Sequence, residues 1–146
     1  MVAWSGRHTA PMAGIEKFNP ESIRAPGGTY SHVARAPVGA RLIVVAGQVG
    51  IGPDETAAAA DFDSQCAQAF ANVGAALEAV GAGWSDVIQT MTFLTRRDDR
   101  ARLRAWRTAA YSRLFPDGRY PPNTLLVVDA LATDDLLIEI QAIAAI

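Results

Sequence analysis

The feature that most constrains the fold is the C-terminal stretch, in which two apolar runs are separated by a short polar segment. The runs are residues 125–128 and 136–144, and Pro121-Pro122 lie just before the first. Proline cannot donate a hydrogen bond to a β-ladder, so this pair indicates the beginning of a strand rather than its middle. We therefore predict two strands that meet at the edge of a sheet, with residues 121–124 at one end.

One acidic residue interrupts the second apolar run. Glu139 lies among Leu, Ile and Ala residues, in a run whose composition predicts a central, buried strand. Because an ionised carboxylate is costly to bury, this position requires either a function or a structural partner. The structural alternative is an ion pair or backbone hydrogen bond that aligns neighbouring subunits. We predict a functional site near Glu139 and residues 121–124.

Composition limits the classes of protein to be considered. The chain has 146 residues, of which 50% are hydrophobic and 19% charged, as is typical of one folded domain. Residues 1–14 lack periodicity and are assigned to an N-terminal arm or extension, and residues 15–146 to the domain. The formal net charge of −2 argues against a nucleic-acid partner held by bulk electrostatics.

Membrane and metal sites are not expected from the sequence. No apolar run approaches the roughly 20 residues of a membrane span, so we expect a cytoplasmic protein without a membrane partner. No cluster of His, Cys and Asp has the spacing of metal ligands, so neither a metal nor another cofactor is predicted. The single cysteine, Cys66, lies on an apolar helical stripe and is expected to pack rather than react.

The rest of the chain alternates between strand and helix patterns. Strands are predicted near residues 30–33, 41–46 and 87–95, and amphipathic helices at residues 61–80 and 98–114. The arginines of the second helix, Arg107 among them, are assigned mostly to a solvated face. This order predicts an α+β fold with both helices on one face of a mixed sheet. The other face stays apolar and uncovered, which predicts oligomerisation.

Several short segments occur in an order that carries a resemblance to a known family: Tyr30-Ser31, Gly47-Gln48, Gln65, Asn72, Gly81, Asp86-Val87 and Ile138-Glu139-Ile140. Over about residues 26–144 the chain resembles the RidA/YjgF family, whose older name is endoribonuclease L-PSP. The resemblance implies a chorismate-mutase-like α+β fold and a homotrimer whose sheets form a barrel. It also implies three ligand clefts between the subunits.

The family resemblance implies hydrolysis of 2-enamines and 2-imines to 2-keto acids and ammonia. It implies that Glu139 positions water, and that Tyr30, Gly47-Gln48 and Thr124 line the cleft. In the family, an arginine of a Pro-Ala-Arg-Ser/Thr motif pairs with the substrate carboxylate, but the corresponding residue here is Asn123. Because a neutral amide replaces a charged, bidentate donor, the sequence argues against activity on standard 2-imino acids.

A cation from elsewhere in the chain could replace the missing arginine. Arg119, four residues upstream of Asn123, is the first candidate for substrate binding, and Arg35 is the second. This interpretation depends on proximity in the sequence alone. It keeps open whether the chain is a hydrolase or deaminase acting on C=N bonds.

Three functions are consistent with the sequence. The first is a homotrimer that binds or hydrolyses a small metabolite in its inter-subunit clefts. The second is a non-enzymatic trimer that senses a metabolite or docks a partner. The third, the endoribonuclease of the older name, is disfavoured because RNA cleavage commonly requires a pair of histidines, and His8 and His32 do not form one on sequence evidence.

Overall fold

The computed structural model describes residues 14–146, so the predicted arm lies outside the described residues apart from Gly14. The elements in chain order are β1 (Glu16–Phe18), β2 (Val33–Arg35), β3 (Leu42–Val49), α1 (Phe62–Glu78), a 3-10 turn (Trp84–Asp86), β4 (Val87–Leu94), α2 (Asp99–Leu114), β5 (Asn123–Val127) and β6 (Ile138–Ala145). The predicted α+β class is confirmed. The first predicted strand begins later than expected, at Val33, and pairs with β1, which the sequence patterns did not indicate.

Four strands form the main sheet in the order β3-β6-β4-β5. β6 is antiparallel to both of its neighbours, whereas β4 and β5 are parallel, as the intervening helix α2 allows. The prediction that the two C-terminal strands meet side by side is therefore wrong, because β4 lies between them. A central position gives the apolar β6 a hydrogen-bonded neighbour on each side, which an edge position cannot provide.

Helix α1 packs on β3 and β6 with one apolar stripe. The Asp61 carboxylate caps its first turn by accepting a hydrogen bond from the Ser64 backbone N–H at 2.9 Å. The buried stripe includes Phe62, Cys66 and Val73. Burial raises the pKa of the Cys66 thiol to about 12, so this side chain packs as expected and is not a nucleophile at neutral pH.

A buried glutamine joins α1 to the beginning of β6. The Gln65 amide Nε2 donates to the carbonyls of Ala59 and Asp135 at 2.7 and 2.8 Å, and its Oε1 accepts from the Leu137 backbone N–H at 2.8 Å. Gly50 permits this approach, because a Cβ at that position would overlap the backbone of Gln65. These contacts set the position of Glu139, two residues beyond Leu137.

The main sheet has two different faces, here called the helix face and the open face. β4 shows the alternation, since Thr90 and Thr92 are buried on the helix face whereas Met91 and Phe93 point to the open face. The open face carries exposed apolar side chains, as predicted: Leu42 and Val44 are each 66% exposed. None of the helices in residues 14–146 is long and apolar enough to cross a membrane.

Candidate functional site

A groove with a volume of about 1370 Å³ separates α2 from β5. Its walls are formed by helix and preceding residues in the range 97–109, strand residues in the range 123–127 and the loop 27–30. Two predicted site residues, Tyr30 and Asn123, line this groove together. The ring of Tyr30 stacks on His32, with ring centroids 5.7 Å apart, which orients it at the groove wall.

The Asn123 side chain is oriented by three hydrogen-bond donors. Its Oδ1 accepts from Thr90 Oγ1 at 3.0 Å, from Thr92 Oγ1 at 2.9 Å and from Arg107 Nη2 at 3.0 Å. If the Asn123 amide were flipped, its NH₂ group would face the guanidinium donor of Arg107. The orientation with Oδ1 towards Arg107 is therefore strongly favoured. The Nδ2 group has no acceptor among residues 14–146, and it can therefore donate a hydrogen bond to a ligand in the groove.

Arg107 lies under the groove and is only 7% exposed. The assignment of this arginine to a solvated helix face is wrong. Its position four residues after Leu103 and four before Tyr111 places it on the buried stripe of α2, and all three residues are buried. The sequence contains this spacing, but the prediction gave more weight to the charge of the side chain. Arg107 is the site residue that sequence reasoning missed.

The charge of Arg107 has no carboxylate partner within the described part of the chain. Its Nη2 donates to the neutral oxygens of Thr92, at 2.7 Å, and of Asn123. Its Nε is buried without a hydrogen-bond partner, and its Cζ lies 5.7 Å from the ring centroid of Tyr111. A buried cation without a counterion is costly, and a ligand carboxylate in the groove would offset that cost.

The two arginines proposed from the sequence as replacements are engaged elsewhere. Arg119 is exposed, and its Nε donates to Asp117 Oδ2 at 3.0 Å. Arg35 forms an ion pair with Glu16 on the β1–β2 ribbon. Neither lines the groove. The cation beside Asn123 is instead supplied by helix α2.

Glu139 lies at the junction of β3 and β6, with Gly47 and Gln48. The register of β3 shifts between Val45 and Gln48, which marks a β-bulge at Gly47. A Cβ on Gly47 would overlap the Glu139 carboxylate, so glycine leaves the space that this side chain occupies. The Gln48 amide donates to the Ala46 carbonyl at 3.2 Å. The register pairs Val49 with Glu139 and Gln48 with Ile140, so Gly47 lies against Glu139 whereas Gln48 lies on the helix face, and a ligand site shared by these residues stays a prediction.

The predicted site residues divide between the two faces of the sheet. Asn123 is paired with Thr90 and lies on the helix face, whereas Glu139 is paired with Phe93 and lies on the open face. Thr124 is paired with Met91 and is exposed on the open face as well. One chain alone therefore does not bring Glu139 to the Asn123 groove. The predicted cleft between subunits stays a prediction.

No metal centre is formed by the described residues. Among residues 14–146, no three or more His, Cys, Asp or Glu side chains are grouped so as to hold a metal ion. Four arginines and one acidic residue, Asp98, line the groove, and this excess of positive charge suits an anionic organic ligand.

Comparison with known proteins gives a consistent result. Residues 21–146 match the family model described as Endoribonuclease L-PSP. The chain is 30% identical over 122 residues to a 2-iminobutanoate/2-iminopropanoate deaminase of Salmonella typhimurium, covering 82% of this chain and 91% of the relative.

Solved structures agree with these sequence matches. A protein of unknown function of the conserved Rid protein family, YyfB from Yersinia pestis, superposes with a TM-score of 0.78 at 28% identity, covering 91% of this chain and 99% of that one. The YjgF gene product of Escherichia coli superposes with a TM-score of 0.65 at 28% identity, covering 88% and 97%.

Proposed function

The chain belongs to the endoribonuclease L-PSP or RidA/YjgF family, and we propose that it binds and hydrolyses a small imine- or enamine-type metabolite that carries a carboxylate. The observation that carries this proposal is Arg107, a buried cation that faces a ligand-sized groove without a counterion among residues 14–146. The unpaired charge of Arg107 and the free Nδ2 of Asn123 suit the ligand carboxylate. Tyr30 forms the wall beside them.

Arg107 changes the prediction, based on Asn123 alone, that the site lacks a cation for a carboxylate. The strand position supplies a neutral amide, but the helix supplies a guanidinium that is hydrogen-bonded to that amide. Charge and hydrogen-bond donors for a carboxylate therefore occur together, although they come from two residues rather than one. This arrangement supports activity on 2-imino acids, against which the sequence motif alone argues.

The proposed site is completed by a second copy of the chain. The open face of that copy would lie over the groove and bring its Gly47, Thr124 and Glu139 to the ligand. The exposed Leu42 and Val44 would be buried in the same contact, as in the homotrimer that the family resemblance implies. Each of the three clefts would then combine the helix face of one copy with the open face of another.

The proposed reaction is hydrolysis of the C=N bond. Glu139 accepts a proton from a water molecule, whose oxygen attacks the imine carbon. This proton is passed to the imine nitrogen, and a second proton moves from the new hydroxyl group to the nitrogen as the C–N bond breaks, so that the tetrahedral adduct collapses to a 2-keto acid and ammonia. One water is consumed for each bond cleaved, and no oxidant or cofactor is required.

The test measures 2-keto acid and ammonia released from 2-iminobutanoate generated in solution. We expect turnover by the native chain, and a loss of about 30-fold or more in kcat/KM for Arg107→Met, because an ionic contact worth about 2 kcal/mol or more is removed. Methionine keeps much of the buried volume without leaving a charge unpaired. Arg113→Ala removes an exposed charge from the same helix outside the groove and is the matched control.

Other outcomes separate the alternatives. Binding of 2-oxobutanoate without turnover of the imine would contradict catalysis and favour the non-enzymatic metabolite sensor. Equal activity of native chain and Arg107→Met, with both folded by thermal melting, would contradict the role of Arg107. Cleavage of single-stranded RNA that persists in Glu139→Gln would point instead to the endoribonuclease of the family's older name.

A further inference from the structure

Helix α2 and the segment that precedes it present three more arginines along the same wall of the groove. Arg100, Arg104 and Arg107 are spaced by four and three residues, which places them on one side of the helix, and Arg97 lies two residues before its first residue, Asp99. One acidic residue, Asp98, also lines the groove. The groove wall is thus strongly positive, although the whole chain carries a formal net charge of −2.

These three arginines are exposed and form no ion pair with any residue in the range 14–146. Arg102, on the opposite side of the same helix, contrasts with them. Its Nη2 lies 2.9 Å from Asp63 Oδ2 and its Nη1 lies 3.7 Å from Asp99 Oδ1. The arginine that faces away from the groove is paired within the chain, and those that line the groove are not.

The position of the stripe is unfavourable for the helix itself. Arg97 and Arg100 lie at the N-terminal end of α2, where the helix dipole favours anions and disfavours cations. The N-cap residue, Asp98, makes no side-chain capping hydrogen bond there. Residues that destabilise their own helix are expected at positions where ligand binding requires them. The positive helix end and the two guanidinium groups all attract an anion.

We propose that the groove selects 2-imino acids with a second acidic group, the imines of dicarboxylic amino acids. This inference rests on the proposed function, in which Arg107 and Asn123 hold the carboxylate next to the imine carbon. Arg104 then holds the distal carboxylate, and Arg100 adds charge beside it. The hydrolysis is unchanged: water and the imine give a 2-keto dicarboxylic acid and ammonia.

The spacing of the arginines suits such a ligand. Arg104 and Arg107 are separated by about 4.5 Å along the helix axis. The two carboxyl carbons of an extended five-carbon dicarboxylate are about 5 Å apart, from C–C bonds of about 1.5 Å. A neutral side chain of the same length would place a methyl group against Arg104 and leave its charge unused.

A small dianion fits the groove better than RNA does. From Arg97 to Arg107 the stripe spans about 15 Å, which is short for an electrostatic track along a nucleic-acid backbone. Tyr30 is the one aromatic residue that lines the groove among residues 14–146, whereas single-stranded RNA is commonly held by several stacked aromatics.

The test compares two stable 2-keto acids of equal length, 2-oxoglutarate and 2-oxopentanoate, as ligands in titration calorimetry. We expect 2-oxoglutarate to bind about tenfold more tightly, and Arg104→Ala to weaken its binding about fivefold, as for an exposed ion pair at the upper end of the usual range. Binding of 2-oxopentanoate should change less than about twofold in this variant. Arg113→Ala is the control for loss of one positive charge.

Turnover provides the second measurement. The imines of glutamate and norvaline are generated in solution by an amino-acid oxidase, and 2-keto acid release is followed. We expect a higher kcat/KM for the glutamate imine, and a loss of this preference in the double variant Arg100→Ala/Arg104→Ala. Added salt should reduce the preference as well, because exposed charge pairs are screened.

Equal affinities for the two keto acids, unaffected by Arg104→Ala while Arg107→Met weakens both, would overturn this inference and leave the proposed function standing. Absence of binding by both acids and of turnover with both imines would overturn the inference and the proposed function together. Binding of a short single-stranded RNA that is lost in the double variant, without a preference for the dicarboxylate, would assign the stripe to nucleic acid and overturn the inference.

Discussion

The two faces of the main sheet are built from the same strands, but only the helix face is covered by other elements of the same chain. On the helix face, Thr90, Thr92, Asn123 and Arg107 form a hydrogen-bonded cluster within one chain. On the open face, Glu139 is paired with Val49 and Phe93, and the exposed Val44 lies further along the same face, which no element in residues 14–146 covers. In the proposed function, the helix face would recognise the anion and the open face would supply the acid that moves a proton.

This difference implies that recognition and catalysis depend on different levels of structure. Under the proposed function, ligand recognition by Arg107 and Asn123 would require only the folded chain, because both residues line one groove. Hydrolysis would also require Glu139, supplied to that groove by another copy. Ligand binding and turnover should therefore respond separately to substitutions on the two faces, and the following predictions use this separation.

The largest effect is expected on the open face, in Glu139→Gln. Removing a general base typically lowers the rate by about 100-fold or more, so kcat for 2-iminobutanoate should fall by at least that factor. Binding of 2-oxobutanoate by calorimetry should change little, because the carboxylate site lies on the helix face. Full turnover in this variant would contradict the assignment of catalysis to the open face.

The next prediction exchanges the cation between helix and strand. Asn123→Arg alone should weaken ligand binding and lower the thermal midpoint, because it removes an acceptor from Arg107 and places two guanidiniums together. The double variant Arg107→Met/Asn123→Arg should recover most of the binding. The comparison uses calorimetry with 2-oxobutanoate, where losses of about 30-fold correspond to about 2 kcal/mol. Additive losses in the double variant would show that the two positions do not share one role.

Association through the open face is tested by Val44→Lys. A charge on this 66% exposed strand position should prevent apolar contact between copies, and turnover should fall roughly tenfold or more as the assembly dissociates. Mass measured by light scattering should decrease, whereas calorimetric binding of 2-oxobutanoate should persist. Val38→Lys is the control, since Val38 is 97% exposed in a loop outside the sheet. A monomeric Val44→Lys that retains full turnover would contradict the shared cleft.

A smaller effect is expected from Gly47→Ala. The added methyl group would meet the flexible end of Glu139 rather than backbone, so the chain should fold normally while the carboxylate moves. We expect kcat to fall by about tenfold, corresponding to a small misplacement of the base, with an unchanged melting temperature. Gly14→Ala is the matched control, because Gly14 does not line the groove and a Cβ there meets nothing within 4 Å. Equal rates in both variants would show that the position of Glu139 does not matter.

The smallest effect is expected at Cys66, which lies on α1 where this helix packs against the helix face of the sheet. Burial raises its pKa from 9.0 to about 12, so the reactive thiolate is scarce at pH 8 and iodoacetamide should not label the folded chain. Because the folded pKa lies above the unfolded value, this group stabilises the fold below pH 9, and that contribution is lost as the pH rises towards 12. Rapid labelling of the native protein, measured by mass spectrometry, would contradict the packing of α1 on the sheet.

Much of the fold could be predicted from local patterns. The stripe of α1, the alternation in β4 and the apolar run of β6 each depend on the period of one element, which a single sequence contains. The uncovered sheet face followed from counting two helices against a two-faced sheet. The short β1–β2 ribbon was harder to predict, because strands of three residues show little periodicity.

The candidate site was predicted less completely than the fold. Tyr30 and Asn123 line one groove and Gly47 lies against Glu139, but the roles that the family resemblance implies for these residues stay predictions. Arg119 was chosen for its nearness to Asn123 in the chain, which says little about distance in space. Arg107 is 16 residues from Asn123 in sequence, yet their side chains are hydrogen-bonded.

Residues close together in the chain were enough to predict both helices, the longer strands, the apolar stripe of α1 and the family. Tertiary structure alone decided that β4 separates the two C-terminal strands, and hence that Asn123 and Glu139 lie on opposite faces. It also decided that a charged residue on the stripe of α2 is buried. Burial of Arg107 depends on oxygens of Thr92 and Asn123, which other elements bring within hydrogen-bonding distance, and no local pattern contains that distance.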